Sequence, residues 1–366
     1  MNENIKLLNF LRLLPKIELH RHLIGSIKVE TLFDIAIKKG IPLPTNDFQK
    51  LKNSIEMSKP CSNLRQFLNP LKILGLCFFD KETVARVACE VVEDAAKDNI
   101  RYLELATGPA FEASFHRLSL EEVLEGVIEG VMRAEGKYDI KVNLIVGPTF
   151  KWMERKAHSP EEVLEAALKY RNKVVGFGLV AETKEGLPFS KWGQKLRKRY
   201  IELAGKAKDG GLAMAVHAGE VGDAQSVMDA VKHLKADRIG HGIKLVENLA
   251  ILENIVKMKM PLEICVSSNI KSGVVKSLRQ HPVRRLWEHG ALITVNTDDP
   301  TLCRTTLTKE YNIIIKNLGF SYFELKLIFN AINSAFLMED EKAQLCETFK
   351  RSFAKLEECV NYQRIF

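Results

Sequence analysis

The sequence predicts an α/β protein, a (β/α)8 barrel of the TIM type with a helical insertion after its first strand and extra helices at its C-terminal end. Three observations carry that prediction. Short β-rich runs alternate with longer amphipathic stretches along most of the chain. The runs number eight, the count that closes a barrel. The residues best suited to chemistry gather at the C-terminal ends of four runs, on the face where barrel enzymes build their sites. An open doubly wound sheet is the alternative that the alternation alone allows.

In chain order the strand candidates are Lys16–His22 (KIELHRH), Ile100–Leu105 (IRYLEL), Lys141–Val146 (KVNLIV), Val174–Val180 (VVGFGLV), Leu212–His217 (LAMAVH), Arg238–His241 (RIGH), Pro261–Val266 (PLEICV) and Leu292–Asp298 (LITVNTD). Helical patterns at Thr83–Lys97, Leu120–Glu135, Pro160–Lys173, Leu196–Lys208, Ala224–His233, Asn248–Met258 and Val283–Glu288 separate nearly all of them, which favours a parallel sheet. Two regions break the repeat. Between the first two strands, about residues 28–98, lie helical patterns at Lys28–Lys39, Asn63–Leu76 and Thr83–Lys97. An insertion there lands on the active-site face, either as a lid or as an extra helical layer. After the eighth strand, about residues 308–361, Thr308–Leu318, Tyr322–Phe336 and Glu339–Cys359 read as three outer helices. The expectation is one domain spanning residues 1–366, without internal repeats or low-complexity linkers.

The composition, 46% hydrophobic and 27% charged, excludes a disordered chain, a collagen and a coiled-coil rod. A chain of 366 residues buries a large core without covalent staples. Lys and Arg number 54 against 46 Asp and Glu, a net +8 that suits nucleic acid or an anionic small substrate equally. The cysteines are seven, an odd number with no C-x-x-C, and read as reduced thiols in a reducing compartment. The N-terminus lacks the pattern of a signal peptide, and no apolar run approaches the length of a membrane span. The expectation is a soluble, cytoplasmic protein with no membrane partner.

His20 and His22 stand two apart on the first strand, so they share a face, with Glu18 on the same side. Alone, H-x-H reads equally as two hydrogen-bonded histidines at a barrel mouth. His217 ends the fifth strand in HAGE, His241 ends the sixth in RIGHG, and Asp298 and Asp299 end the eighth in VNTDDP. The other histidines, His116, His158, His233, His281 and His289, fall in helices or loops and read as surface residues. Three neutral imidazoles and a carboxylate suit a borderline divalent cation such as zinc, with water in the open position. Such a metal lowers the pKa of its water towards about 7. Hydrolysis then needs a proton shuttle, and Glu220, three residues beyond His217, is the candidate. By itself Glu220 reads as a helix N-cap or first-turn carboxylate.

The segments PKIELHRHLIGS, VVGFGLVAE, HAGE, RIGHG, LEICVSSN and VNTDDPT resemble, in order, the motifs of the adenosine deaminase family, over roughly residues 14–340. The resemblance implies a (β/α)8 barrel with one zinc ion per chain that hydrolyses the 6-amino group of a purine nucleoside and releases ammonia. It makes His20, His22, His217 and Asp298 the zinc ligands. Glu220 would protonate N1 of the purine, His241 would orient the attacking hydroxide and stabilise developing charge, and Asp299 would bond N7. The backbone N–H of Ala181, where the family usually has Gly, would reach N3.

Three departures bear on the substrate. Ile24 stands where adenosine deaminases usually carry an acid that binds the ribose 5′-hydroxyl, which favours an apolar 5′ substituent. Gly178 and Thr183 replace an Asp and a Glu in the loop after the fourth strand, and Ala106 replaces an Arg common near the end of the second. The chain looks most like the bacterial aminodeoxyfutalosine and adenosine deaminases. The expected substrate is therefore 6-amino-6-deoxyfutalosine, of the futalosine route to menaquinone, with 5′-methylthioadenosine or adenine as alternatives and adenosine still allowed. Arg21, Arg65, Lys151 and Lys184 are candidates to meet a carboxylate, although each also reads as a surface charge. Phe67, Phe150, Trp152 and Trp192 are candidates for an apolar pocket, although packing is the default for each.

A binuclear amidohydrolase would need a carboxylated Lys ending the fourth strand; Lys184 comes only in the loop beyond, so a mononuclear site is favoured. A non-catalytic, nucleoside-binding barrel is the alternative of another class. Nucleic acid is not an expected partner: H-x-E with P-C-x-x-C is missing, and no basic run is interleaved with aromatics.

Overall fold

The computed structural model describes residues 3–148, 158–183, 185–321, 324–325 and 327–359. Eight strands, β1 (Lys16–His22), β2 (Ile100–Thr107), β3 (Lys141–Val146), β4 (Val174–Val180), β5 (Ala213–Ala218), β6 (Arg238–His241), β7 (Leu262–Ile264) and β8 (Ile293–Val295), lie side by side in sequence order. Each is parallel to the next, with helices outside. Each predicted strand falls on an observed one. β7 and β8 are shorter than expected because the chain leaves the sheet early: a helix starts at Val266, and Asp298 turns with φ 63°.

The short β8 leaves little ladder to close the barrel against β1, and side chains complete the seam. Leu19 donates its N–H to Asn296 Oδ1 at 2.9 Å, and Thr297 donates its N–H to Glu18 Oε1 at 2.8 Å. Glu18, expected on the face of His20 and His22, is thus a closure residue. Beyond it, Asp298 N–H donates to His20 O (3.0 Å) and His22 N–H to Asp298 O (2.9 Å). Those two backbone bonds bring the ends of β1 and β8 together at the barrel mouth.

Helix starts follow their caps. Lys81–Lys97, Leu120–Glu135 and Pro160–Lys169 each begin at a capping box, formed by Asp80 with Thr83, Ser119 with Glu122 and Ser159 with Glu162. The first two pack so closely that a Cβ on Gly130 would lie 2.1 Å from Ala85 O, a contact only glycine permits. The predicted helix 63–76 is two pieces, Leu64–Leu68 and Leu71–Leu74, broken at Pro70, which has no N–H to continue the ladder. After the barrel come Leu307–Leu318, Leu327–Ser334 and Glu339–Cys359; the expected start of the middle one, at Tyr322, lies outside the described residues. Among the described residues no helix is long and apolar enough to cross a membrane.

Candidate active site

One pocket opens at the C-terminal ends of the strands. Its wall holds His20 and His22 from β1, His217 from β5, Glu220 and His241 just beyond β5 and at the end of β6, and Asp298 and Asp299 beyond β8. His20, His22, His217 and Asp298 offer ligand atoms that all lie within 4.8 Å of one another. The rings are oriented from behind. His20 Nδ1 lies 2.7 Å from Glu263 Oε2, whose other oxygen accepts from Arg238 Nε at 2.5 Å. The carboxylate holds the ring proton on Nδ1 and leaves Nε2 as a lone pair. That Nε2 is buried without a hydrogen-bond partner, 3.3 Å from Asp298 Oδ1. Asp298 Oδ1 is also 3.1 Å from His22 Nε2, while Ser268 Oγ donates to Oδ2 at 2.6 Å. Burial, with the other site histidines, holds the His217 pKa well below its ordinary value, so the ring is neutral. Three imidazoles and a carboxylate converging around an orphaned ring nitrogen fit a zinc-like cation. His241, Cys265 and Asp298 also lie close together, but burial pushes the Cys265 thiol well up and keeps it protonated, so it offers no thiolate.

Glu220 reaches the pocket because Glu182, just past β4, grips the turn after β5. Its carboxylate accepts the N–H groups of Gly219 (2.7 Å), Glu220 (3.1 Å) and Val221 (2.8 Å). The next helix, Ala224–Leu234, is capped by Asp223, so Glu220 is no N-cap. Burial, then the charges of Asp298 and Glu182, raises the Glu220 carboxyl well above its ordinary range. Its Oε2 lies 3.6 Å from His241 Nε2. Burial lowers His241 to about 3, so this ring too is neutral. His241 (φ 65°) and Asp298 (φ 63°) both hold left-handed backbone, a strain of about 1–2 kcal/mol per residue that concentrates at functional positions. Asp299 is raised to about 7 by burial and by Asp298, and its Oδ1 is buried without a partner. A Cβ on Gly25 would fall 1.6 Å from that oxygen, so the glycine makes the room Asp299 occupies.

The rest of the wall is mostly apolar. Ile24 lies on it, facing Leu64, Phe67, Leu68 and Leu71 from the insertion and Phe111 and Pro148 from the strand-end loops, with Ala106, Gly178 and Thr183 also present. Beyond the cluster at the strand ends its ionisable groups are acids, notably Glu112, which burial pushes up to about 7. No Lys or Arg lies on it among the described residues. Arg21 is buried against Glu18 (3.2 Å) and Ser26 (3.1 Å), and Arg65 is exposed. Trp192 packs on Phe189 and Tyr200 away from the pocket. Phe150, Lys151, Trp152 and Lys184 lie outside the described residues.

Two expectations are corrected. The Ala181 N–H is not free to meet a substrate: the β4–β5 ladder continues one residue further, and this N–H donates to His217 O at 2.9 Å. His281 is not a surface residue: it is buried, with Nε2 3.2 Å from Asn269 Oδ1. Sequence reasoning also missed the residues that orient the site, namely Glu182, Glu263, Ser268 and Asn269. Their signal lay in VVGFGLVAE and LEICVSSN, segments that resemble the family's motifs as blocks but of which only Ala181 was given a role.

Comparison with known proteins bears on this geometry. The family model described as Adenosine deaminase matches residues 15–352. An adenosine deaminase of Clostridium botulinum (strain Kyoto / Type A2) is 37% identical over 340 residues, covering 92% of this chain and 96% of that protein. Among solved structures, an adenine deaminase of Arthrobacter aurescens has a TM-score of 0.79 at 25% identity, covering 92% of this chain and 98% of that one. The N6-mAMP deaminase of Arabidopsis has a TM-score of 0.78 at 28% identity, covering 94% and 99%.

Proposed function

The chain belongs to the adenosine deaminase family of metal-dependent hydrolases, and on that premise we propose that it deaminates an adenosine-type nucleoside whose 5′ substituent is apolar and uncharged. The observation that carries the substrate reading is the wall around Ile24, apolar on the insertion side and with acids, Glu112 among them, but no Lys or Arg among its described residues. Such a wall suits a thioether such as that of 5′-methylthioadenosine. Aminodeoxyfutalosine, expected from the sequence, shares an apolar aryl arm. Its terminal carboxylate, however, finds no Lys or Arg on the wall among the described residues.

In this reading His20, His22, His217 and Asp298 hold one zinc ion. When bound, zinc supplies Lewis acidity that brings the pKa of a coordinated water to about 7. Glu220, kept protonated by burial, donates to purine N1, which draws electron density from C6. His241, whose Nε2 lies 3.6 Å from Glu220 Oε2, would orient the water that attacks C6. Asp299, raised to about 7 and so able to carry a proton, is the group that donates to N7 from Oδ1, which has no partner within the protein. Water adds at C6 and gives a proton to the Glu220 carboxylate left by that donation; Glu220 passes it to the 6-amino group, which leaves as ammonia, and the remaining hydroxyl proton returns to Glu220, so that a 6-oxopurine remains.

The test is an ultraviolet assay comparing adenosine, 5′-methylthioadenosine, aminodeoxyfutalosine and adenine. The expected order places 5′-methylthioadenosine first, about tenfold or more above adenosine in kcat/KM, and Ile24→Asp should invert that preference. An unchanged ratio in Ile24→Asp would remove the 5′-pocket argument, and preference for aminodeoxyfutalosine would overturn the uncharged reading. Gly25→Ala tests Asp299. The added methyl must displace the carboxylate, so kcat/KM should fall about 100-fold with zinc content unchanged. Normal kinetics would show that the position of Asp299 does not matter.

A further inference from the structure

We propose that Asn269 and His281 are positioning residues that fix the tautomer of His241 through a one-way chain of hydrogen bonds beginning at a backbone amide. The proposal rests on reading His241 as a group that faces the attacking water.

The chain starts where polarity is not negotiable. Val283 N–H lies 3.2 Å from His281 Nδ1, and an amide nitrogen can only donate. His281 Nδ1 therefore carries a lone pair, and the proton of the ring sits on Nε2. That nitrogen is 3.2 Å from Asn269 Oδ1 and donates to it. The assignment of the Asn269 amide follows: its oxygen faces His281, and its NH2 faces His241 Nδ1 at 3.1 Å. His241 Nδ1 is then an acceptor, and its proton must be on Nε2. The Nε2–H points into the pocket, 3.6 Å from Glu220 Oε2 and 4.0 Å from Asp298 Oδ2. Both rings are neutral on geometry alone, since an imidazolium could accept at neither Nδ1.

His241 ends β6, and its two partners come from the chain beyond β7. Asn269 lies within the short helix Val266–Lys271 that follows β7, and His281 stands just before Val283–Glu288. Each is buried, and His241 is 1% exposed, so water does not compete for any link. The consequence at the site is specific. With Nε2 protonated, His241 presents a hydrogen-bond donor to an oxygen approaching C6 and can accept no proton there. It then orients the nucleophile and does not act as its base, which leaves proton transfer to Glu220.

Asn269→Asp tests this in the zinc-loaded enzyme. A carboxylate at position 269 accepts from both neighbours and draws the His241 proton onto Nδ1, so the pocket loses its donor. The expected results are a fall in kcat of about 100-fold or more, KM and zinc content near wild type, and 15N chemical shifts that move His241 from the Nε2–H to the Nδ1–H form. His281→Gln retains a donor for Asn269 Oδ1 and should keep most activity, whereas His281→Leu should not. A wild-type spectrum with His241 protonated on Nδ1 would overturn the proposal, as would an Asn269→Asp enzyme with unchanged kcat and shifts. Failure of the underlying reading looks different: His241→Ala would turn over normally whatever the spectra show.

Discussion

Glu220→Gln should lower kcat by about 10²–10⁴-fold while the protein keeps its zinc. The amide preserves the shape of the side chain and its capacity to hydrogen-bond purine N1, but it has no proton to transfer. Nothing in the ligand set depends on Glu220: His20, His22, His217 and Asp298 are oriented by Glu263, Ser268 and the strand ends. The turn that carries Glu220 is gripped through its backbone by Glu182, so the substitution leaves the local fold in place. The burial and neighbouring charges that raise the Glu220 carboxyl favour the protonated form it needs in order to donate. Steady-state kinetics with metal analysis on the same sample checks the expectation. Turnover within tenfold of wild type would place the proton shuttle elsewhere, and loss of zinc would mean that Glu220 supports the metal site.

The strand ends were legible because chemistry there requires particular residue types. His20, His22, His217, His241, Asp298 and Asp299 stood out as polar groups at the C-terminal ends of apolar runs, and the structure brings them to one pocket. What stayed hidden is what depends on three-dimensional partners. Glu182 precedes Glu220 by 38 residues, and Glu263 follows His20 by 243, so no local spacing connects either pair. His281 read as a surface residue because its segment is polar; it is buried by Asn269 and by the backbone of the helix it begins. The Ala181 amide was assigned to a substrate because the family resemblance implied it, at a position past the edge of the fourth strand. In space the β4–β5 ladder continues past that edge and consumes the N–H. The length of β8 was overestimated for a related reason: Asn296, Thr297 and Asp298 were counted into the strand, but the backbone has by then turned to deliver Asp298.

Arg238→Met should destabilise the fold by about 3–5 kcal/mol at neutral pH and weaken zinc binding as well. The guanidinium is buried beneath the site, with Nε on Glu263 Oε1 (2.5 Å), Nη2 on Glu104 Oε2 (2.5 Å) and Nη1 on Ser334 O (2.9 Å). Its Cζ lies 3.5 Å from the centre of the Phe336 ring. Methionine fills part of that volume but leaves two buried carboxylates without a counter-charge. The sign of the pH dependence follows from Glu263. Burial raises this carboxyl, but Arg238 and the His20 bond more than offset it and bring the value down to about 2 from an ordinary 4.5. The stability gained from that depression is present above pH 4.5 and is lost as pH falls towards 2. The gap between wild type and Arg238→Met should therefore narrow over the same interval in urea unfolding. Zinc affinity should fall about 10–100-fold, because an unpaired Glu263 no longer holds the His20 ring in its ligating orientation. Should Arg238→Met not fold, Glu263→Gln separates the two effects: it removes one charge, so zinc affinity should drop by a similar factor with a smaller loss of stability. A variant as stable as wild type at pH 7, with unchanged zinc affinity, would show that this network neither supports the barrel floor nor orients its metal site.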